Sequence, residues 1–261
     1  MERSRRQLAL ASSMYNDQND VPGALATLET ALELDPGNAE AHVLLGYIEL
    51  GLGNLDEAES SARRGVQILE VRVGGERSDL AGAQSLAEAR NILGLVLIAQ
   101  QRYDEAVEVL QASADDAMNR APHLAYGNLG LAYLRAGRPD DALGPLQASV
   151  ERQPRFCVGH HRLGEAYFAL NRLEEAEGAL DEALGADERC EVLQGAWRLR
   201  GEVRARRGDA LGAVADLEKC AELAPRSEDG EACAGLLRAL EDRPAGASSD
   251  AHPPATSRRA A

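Results

Sequence analysis

The sequence predicts an all-α protein, a right-handed superhelical solenoid of six antiparallel helix pairs closed by a C-terminal capping helix. Aromatic residues make up only 3% of the 261 residues while apolar residues reach 44%, so the core must come from Leu, Ala and Val, which favours helices. Self-similarity at a fixed spacing indicates a repeat array. Four segments align without gaps, each with a Leu-Gly pair, an acidic pair and an alanine: 44–62, 92–110, 128–146 and 162–180.

The repeating unit spans 34 residues, the length of a tetratricopeptide repeat, in which two helices pack against each other. Six such units fit the sequence: 5–38, 39–72, 87–120, 123–156, 157–190 and 194–227. Residues 73–86 form an insertion, which we expect to lengthen the helices on both sides. Residues 228–241 are expected to form the capping helix, which completes a single solenoid domain over 1–241. The polar segment 242–261 is expected to be a disordered tail.

Each unit carries small residues where a core normally has bulk. In the fourth unit these are Gly130, Ala142 and Ser149. Small side chains let two helices approach closely, so we predict that these positions are contacts between the helices of a pair. The acidic pairs, such as Asp140 and Asp141, open the second helices, where carboxylates favour the positive end of the helix dipole. An acidic binding face is the alternative interpretation of these pairs.

Composition and motifs argue against several function classes. The 28 basic and 43 acidic residues give a net charge of −15, which argues against nucleic acid as a partner. The sequence contains no phosphate-binding loop, nucleophile elbow or HExxH motif, so we predict a non-enzymatic protein without cofactor, catalytic residues or metal site. A metal on Cys157, His160 and His161 is the weaker alternative, because their spacing places them on one helical face.

A solenoid of this kind is curved, and the first helix of each pair lines its concave face. In tetratricopeptide proteins, positions 2, 5, 9, 12 and 13 of the first helix of each unit point into the groove. Here these positions are mainly apolar in the middle units and polar in the first and last units. Such a patch favours binding of the apolar face of a partner helix or peptide. Filling of the groove by a terminus or by the 73–86 insertion is the alternative. The residues predicted to bind a partner are Val43, Tyr47, Leu50, Asn91, Leu95, Ile98, Leu124, Leu131, Leu134, Val158, His161 and Phe168.

Four cysteines lie in the last 105 residues. Cys157 and Cys190 lie equally far from the turn that joins the two helices of the fifth unit, and Cys220 and Cys233 lie equally far from the turn near Arg226. On antiparallel helices such positions face each other, so the pairs Cys157–Cys190 and Cys220–Cys233 can form disulfides. Four free thiols, or one of the other two pairings, are the alternatives. Disulfides would indicate an oxidising compartment.

The order of segments over about residues 5–227 resembles that of the type IV pilus pilotin lipoproteins, the PilF, PilW and Tgl group, and is most similar to the Tgl members. The shared marks are the six repeats and a junction between the third and fourth units, ASADDAMNRAPH, with two extra residues. This junction also lacks the proline that closes other units at position 32, such as Pro36 and Pro154. The resemblance implies a monomeric lipoprotein at the periplasmic face of the outer membrane.

Such a protein would assist localisation and oligomerisation of the type IV pilus secretin subunit, and hence pilus assembly and twitching or social motility. The groove would then receive an apolar segment of the secretin. A lipid-attachment cysteine and signal segment are absent from this sequence, so the resemblance alone implies membrane anchoring. The alternative is a cytoplasmic adaptor or regulatory protein that binds an apolar helix or peptide of an unrelated partner.

Overall fold

The computed structural model describes residues 1–75 and 80–241. That part of the chain contains thirteen α-helices, one 3₁₀ helix and no strand, which confirms the all-α prediction. The predicted tail and residues 76–79 of the insertion lie outside the described residues. The helices are α1 Glu2–Asn16, α2 Val21–Leu34, α3 Ala39–Leu52, α4 Leu55–Gly74, α5 Leu80–Ala99, α6 Tyr103–Ala114, α7 Pro122–Arg135, α8 Pro139–Arg152, α9 Cys157–Ala169, α10 Leu173–Gly185, the 3₁₀ helix Glu188–Val192, α11 Gln194–Arg207, α12 Ala210–Leu223 and α13 Glu228–Glu241.

Successive helices form six pairs, from α1 with α2 to α11 with α12, and α13 packs on the last pair as the predicted cap. The first helix of each pair also contacts the first helix of the next pair, so α1, α3, α5, α7, α9 and α11 form a continuous inner layer. The second helices lie on its other side. This arrangement confirms the superhelical solenoid and places one surface of every first helix along a common groove.

The two helices of a pair approach closely because a glycine of the first helix faces a leucine of the second. A Cβ added at Gly94 or Gly130 would lie 2.4 Å from the Cγ of the facing leucine. The facing pairs are Gly94 with Leu110, Gly130 with Leu146, Gly164 with Leu180 and Gly201 with Leu217. Ser149, buried near the same contact, donates a hydrogen bond from its Oγ to the carbonyl oxygen of His123 at 2.6 Å. The small residues predicted as helix contacts therefore have that role.

The insertion lengthens the two helices next to it. Helices α4 and α5 each have 20 residues, while the other α-helices have 12 to 15. Side chains from this region reach back to the inner layer, where Arg72 forms an ion pair with Glu40 and Ser85 donates to the same carboxylate at 3.3 Å. The start of α5 is thereby fixed beside α3, at the edge of the groove.

Two disulfides and one ion-pair network stabilise the C-terminal third. The predicted pairs Cys157–Cys190 and Cys220–Cys233 are both bonded, so the chain has no free thiol in this structure. The second disulfide ties the capping helix α13 to α12. Asp216, which is buried on α12, accepts hydrogen bonds from Arg200 at 2.7 Å and Arg204 at 2.9 Å. These arginines of α11 also bind carboxylates on α10, so the network joins the last two helix pairs.

Candidate partner-binding groove

The inner faces of α1, α3 and α5 enclose a cleft of about 450 Å³. Of the predicted residues, Val43 and Tyr47 line this cleft. Apolar residues that the sequence interpretation missed, Leu8 and Ile92, contribute further surface. The first repeat was expected to be polar in the groove, and Leu8 shows that it supplies apolar surface as well. The polar side chains at the edge of the cleft are Arg5, Ser12, Asn16, Glu40, Ser85 and Glu88.

A second cleft of about 420 Å³ continues the first between α5 and α7. The two clefts share Ser85 and Glu88, so together they form one groove along the inner layer. Asn91 and Leu124, both predicted as partner-binding residues, line the second cleft. The described residues thus leave this part of the groove open, as partner binding requires.

The predicted groove residues differ widely in exposure. Tyr47 is 42% exposed, with its ring edge-on to Tyr15 at 5.9 Å between centroids, and Leu124 is 38% exposed. Val43 is only 7% exposed because its Cγ2 fills the space in front of Gly65, where a Cβ would come within 2.6 Å. Val43 is therefore mainly a core residue that forms the floor of the cleft. The remaining predicted residues are half-buried: Leu50, Asn91, Leu95, Ile98, Leu131, Leu134, Val158, His161 and Phe168.

Toward α11 the groove becomes charged. The guanidinium of Arg206 lies over the ring of Phe168, 4.1 Å from its centroid, so this predicted apolar position is covered by a cation. Burial lowers the pKa of His161 below its ordinary value, despite the nearby Glu165, which raises it. His161 is therefore neutral at neutral pH. The apolar part of the groove accordingly lies on α1, α3, α5 and α7.

Asn128, which is buried, and Arg162, which is half-buried, were not among the predicted groove residues, yet their hydrogen bonds join three successive inner helices. The Nδ2 of Asn128 donates to the Oδ1 of Asn91 at 3.0 Å, and the Nη1 of Arg162 donates to the Oδ1 of Asn128 at 2.8 Å. Both residues occupy the sixth position of their 34-residue units, next to the fifth position, which was predicted to point into the groove. A polar residue at the same position of two successive units was the feature of the sequence that could have indicated this contact.

The weaker metal interpretation is wrong, because the sulfur of Cys157 is bonded to Cys190 and cannot act as a thiolate ligand. A ring nitrogen of His160 lies 2.9 Å from the carbonyl oxygen of Pro154. In the two described ranges, no group of three or more His, Cys, Asp or Glu side chains is arranged to hold a metal ion. None of the helices described here is both long and apolar enough to cross a membrane.

Comparison with known sequences identifies the repeat. Three family models described as tetratricopeptide repeats match residues 15–69, 85–155 and 159–190. Heat shock protein STI1 of Saccharomyces cerevisiae is 32% identical over 85 residues, which cover 33% of this chain and 14% of that protein. The chain spans only 14% to 20% of the lengths of the curated relatives that it matches.

Solved structures with this fold include two pilus proteins. PilW, described as a widely conserved type IV pilus biogenesis factor, aligns with a TM-score of 0.73 at 23% identity, over 88% of this chain and 97% of PilW. PilF of Pseudomonas aeruginosa aligns with a TM-score of 0.67 at 18% identity, over 90% of this chain and 98% of PilF. At these identities the likeness shows the fold alone. The matched repeats, which together cover more than half of the sequence, and the observed solenoid show that the chain belongs to the tetratricopeptide-repeat family.

Proposed function

We propose that this protein is a non-enzymatic, pilotin-like scaffold that assists outer-membrane localisation and oligomerisation of the type IV pilus secretin, and hence pilus assembly and motility. The observation that carries the proposal is the open groove along α1, α3, α5 and α7. The solenoid that contains this groove aligns with nearly the whole length of PilW. Tetratricopeptide solenoids bind proteins through such surfaces, and the secretin is the partner that the likeness to PilW and PilF supports.

The groove has the chemistry to bind an apolar segment. Tyr47 and Leu124 are exposed, and Leu50, Leu95 and Leu131 on the same inner helices are half-buried. Together with the polar edge of the groove, these apolar side chains suit the apolar face of a helix. Five such side chains at about 1–2 kcal/mol each allow micromolar or tighter binding after the free-energy cost of association.

The disulfides support an oxidising compartment for this protein, since structural disulfides persist there and are rare in the cytosol. We therefore place it at the periplasmic face of the outer membrane, held by a lipid anchor as in the pilotin lipoproteins, which its order of segments resembles. A monomer is expected.

The second candidate is an adaptor or regulatory protein that binds an unrelated partner. The observation that favours it is the likeness to the Saccharomyces cerevisiae heat shock protein STI1. Rapid alkylation of thiols in intact cells of the native host separates the candidates. Four cysteines protected from alkylation support the periplasmic scaffold, while four alkylated cysteines support a cytoplasmic adaptor.

Deletion of the gene in its host tests the pilotin role. Outer membranes of the deletion strain are compared with the parent for secretin multimers that resist heat and detergent, and the level of secretin monomer is measured in the same samples. Loss of multimers with monomer still present, restored by the wild-type gene, is the expected result. Normal multimers in the deletion strain contradict the pilotin role.

A further inference from the structure

A further cleft, of about 440 Å³, lies between the second-layer helices α2 and α4 and reaches α3. This α2–α4 cleft shares no lining residue with the two clefts of the groove. Leu32 of α2 and Leu45 of α3 supply its apolar surface. The other lining residues are polar: His42, Ser60, Ser61, Arg63, Arg64 and Gln67. The proposed function of the groove leaves this cleft without a role.

The α2–α4 cleft differs in charge from the chain as a whole. The chain has 43 acidic residues against 28 basic ones, and four other clefts each contain at least one Asp or Glu. Within the described ranges, no acidic residue lines the α2–α4 cleft, whereas two arginines and a histidine do. Charge complementarity therefore favours an anion as the ligand of this cleft.

Arg64 is the cation that is available to such a ligand. Arg63 is already paired with Glu59, at 2.7 Å. In the described part of the chain, no Asp or Glu oxygen lies within 4.0 Å of the guanidinium of Arg64, and none of its N–H groups donates to a protein acceptor. The fork of an unpaired guanidinium matches the oxygens of a phosphate or a carboxylate.

The side chains beside Arg64 favour a phosphate over a carboxylate. Ser60 and Gln67 lie four residues before and three residues after Arg64, so they share one face of α4 with it, and Ser61 is adjacent. Among the described residues, the hydroxyls of both serines and the amide of Gln67 have no hydrogen-bond partner. A phosphate ester presents three strong acceptor oxygens, which can use the guanidinium and the hydroxyls together, while a carboxylate has only two.

We propose that the α2–α4 cleft binds a phosphate ester, with its phosphate on Arg64 and the hydroxyls of Ser60 and Ser61, and its apolar part against Leu32 and Leu45. The ester is either a small soluble compound or the headgroup of a phospholipid, since both carry the same phosphate chemistry. This inference goes beyond the proposed function and does not depend on it, because the cleft is separate from the groove.

His42 provides a reporter inside the cleft. Its Nε2 lies 3.1 Å from the carbonyl oxygen of Pro36, and because a carbonyl oxygen only accepts, Nε2 carries the proton of the neutral ring. Burial lowers the pKa of His42 and Arg64 lowers it further, while the contact with Pro36 opposes them. A phosphate bound beside Arg64 should raise this pKa, because a negative charge favours the protonated ring.

NMR titrations of the full chain in a phosphate-free buffer at neutral pH test the inference. The probes are inorganic phosphate, glycerol 3-phosphate and the soluble short-chain lipid dihexanoyl phosphatidic acid, with sodium acetate as the carboxylate comparison. Saturable binding of the phosphates is expected, with acetate at least about tenfold weaker. Arg64→Gln should weaken phosphate binding about tenfold or more. Arg226→Gln, which removes the same charge from an exposed position outside the cleft, should leave it unchanged.

The two esters identify the source of the phosphate. Lipid binding about tenfold or more tighter than that of glycerol 3-phosphate supports a phospholipid headgroup, and similar affinities support a small soluble ester. Arg64→Lys keeps the charge without the fork and should bind with intermediate affinity, and thermal melting checks that each variant is folded. No saturable phosphate binding, equal affinities of wild type and Arg64→Gln, acetate binding as tight as that of phosphate, or a pKa of His42 unchanged at saturating phosphate would overturn the inference.

Discussion

Gly130 lies so close to Leu146 that a Cβ at residue 130 would come within 2.4 Å of the Cγ of that leucine. Leu146 is fully buried and cannot move away without disturbing the contact between α7 and α8. We therefore expect Gly130→Ala to destabilise the protein by about 1–3 kcal/mol, the usual effect of overpacking a core. Gly178, in the exposed part of α10, has nothing within 4 Å of the same added atom.

Gly178→Ala is the matched control for this substitution. It adds the same methyl group to a helix without a clash, and the better helix propensity of alanine should stabilise the protein by roughly 0.5–1 kcal/mol. Denaturant unfolding of the two variants and the wild type measures both effects. Equal stabilisation by the two alanines would contradict the assignment of Gly130 as a packing contact.

Glu59 on α4 provides a pH-dependent contribution to stability. Desolvation raises the pKa of this carboxyl, but hydrogen bonds to its carboxylate outweigh desolvation and lower the pKa from 4.5 to about 2. The donors are Arg63 at 2.7 Å, Gln100 at 2.8 Å and Arg102 at 2.6 Å. A carboxyl with a lowered folded-state pKa stabilises the protein above its unfolded pKa, and this contribution disappears as pH falls through the folded value.

Thermal melting of wild type and Glu59→Gln as a function of pH tests this contribution. The wild type should melt at a higher temperature than the variant above pH 4.5, and the difference should shrink as pH falls from 4.5 to about 2. Glu108→Gln, at an exposed position in the middle of α6, serves as the control and should change the melting temperature little at any pH. A wild-type advantage that stays constant down to pH 2 would show that Glu59 does not titrate in this window.

The Cys220–Cys233 disulfide should determine how firmly the capping helix α13 is held. It closes a short loop with a sequence separation of 13, and a loop of that length is worth about 3 kcal/mol in the chain-entropy estimate. Replacing both cysteines by alanine should therefore lower the free energy of unfolding by roughly that amount and speed hydrogen exchange in α13. The double alanine variant of Cys157 and Cys190, whose disulfide lies outside α13, should leave exchange in α13 slow. If α13 exchanges as slowly without Cys220 and Cys233 as with them, packing alone holds the cap.

The repeat, the helix pairs and the two disulfides could be predicted from the sequence because each depends on spacing along one chain. The groove was predicted less well, because exposure depends on what the neighbouring helix contributes. Val43 occupies a groove position, but the space in front of Gly65 draws its side chain into the core. Arg162 was overlooked because its hydrogen bond to Asn128 joins two residues 34 apart in the sequence, and only the fold shows that they meet.

The apolar part of the groove can be tested directly by mutation. Leu95 on α5 and Leu131 on α7 are half-buried residues of successive inner helices. In the double variant Leu95→Asp, Leu131→Asp, two carboxylates replace apolar surface that a partner would cover, so binding to the purified secretin should weaken about 100-fold or more. Calorimetric titration measures the affinity, and circular dichroism with thermal melting checks that the variant stays folded.

Leu211→Asp is the matched control, because Leu211 is 88% exposed on the second-layer helix α12. The same change of side chain there should leave secretin binding and stability nearly unchanged. If the double aspartate variant folds but has a lower melting temperature, the milder double variant Leu95→Ala, Leu131→Ala can replace it. This variant removes apolar area without burying charge and should still weaken binding. A folded double variant that binds the secretin as tightly as wild type would show that the partner contacts another surface of the solenoid, because two charges in the path of an apolar segment are incompatible with unchanged affinity.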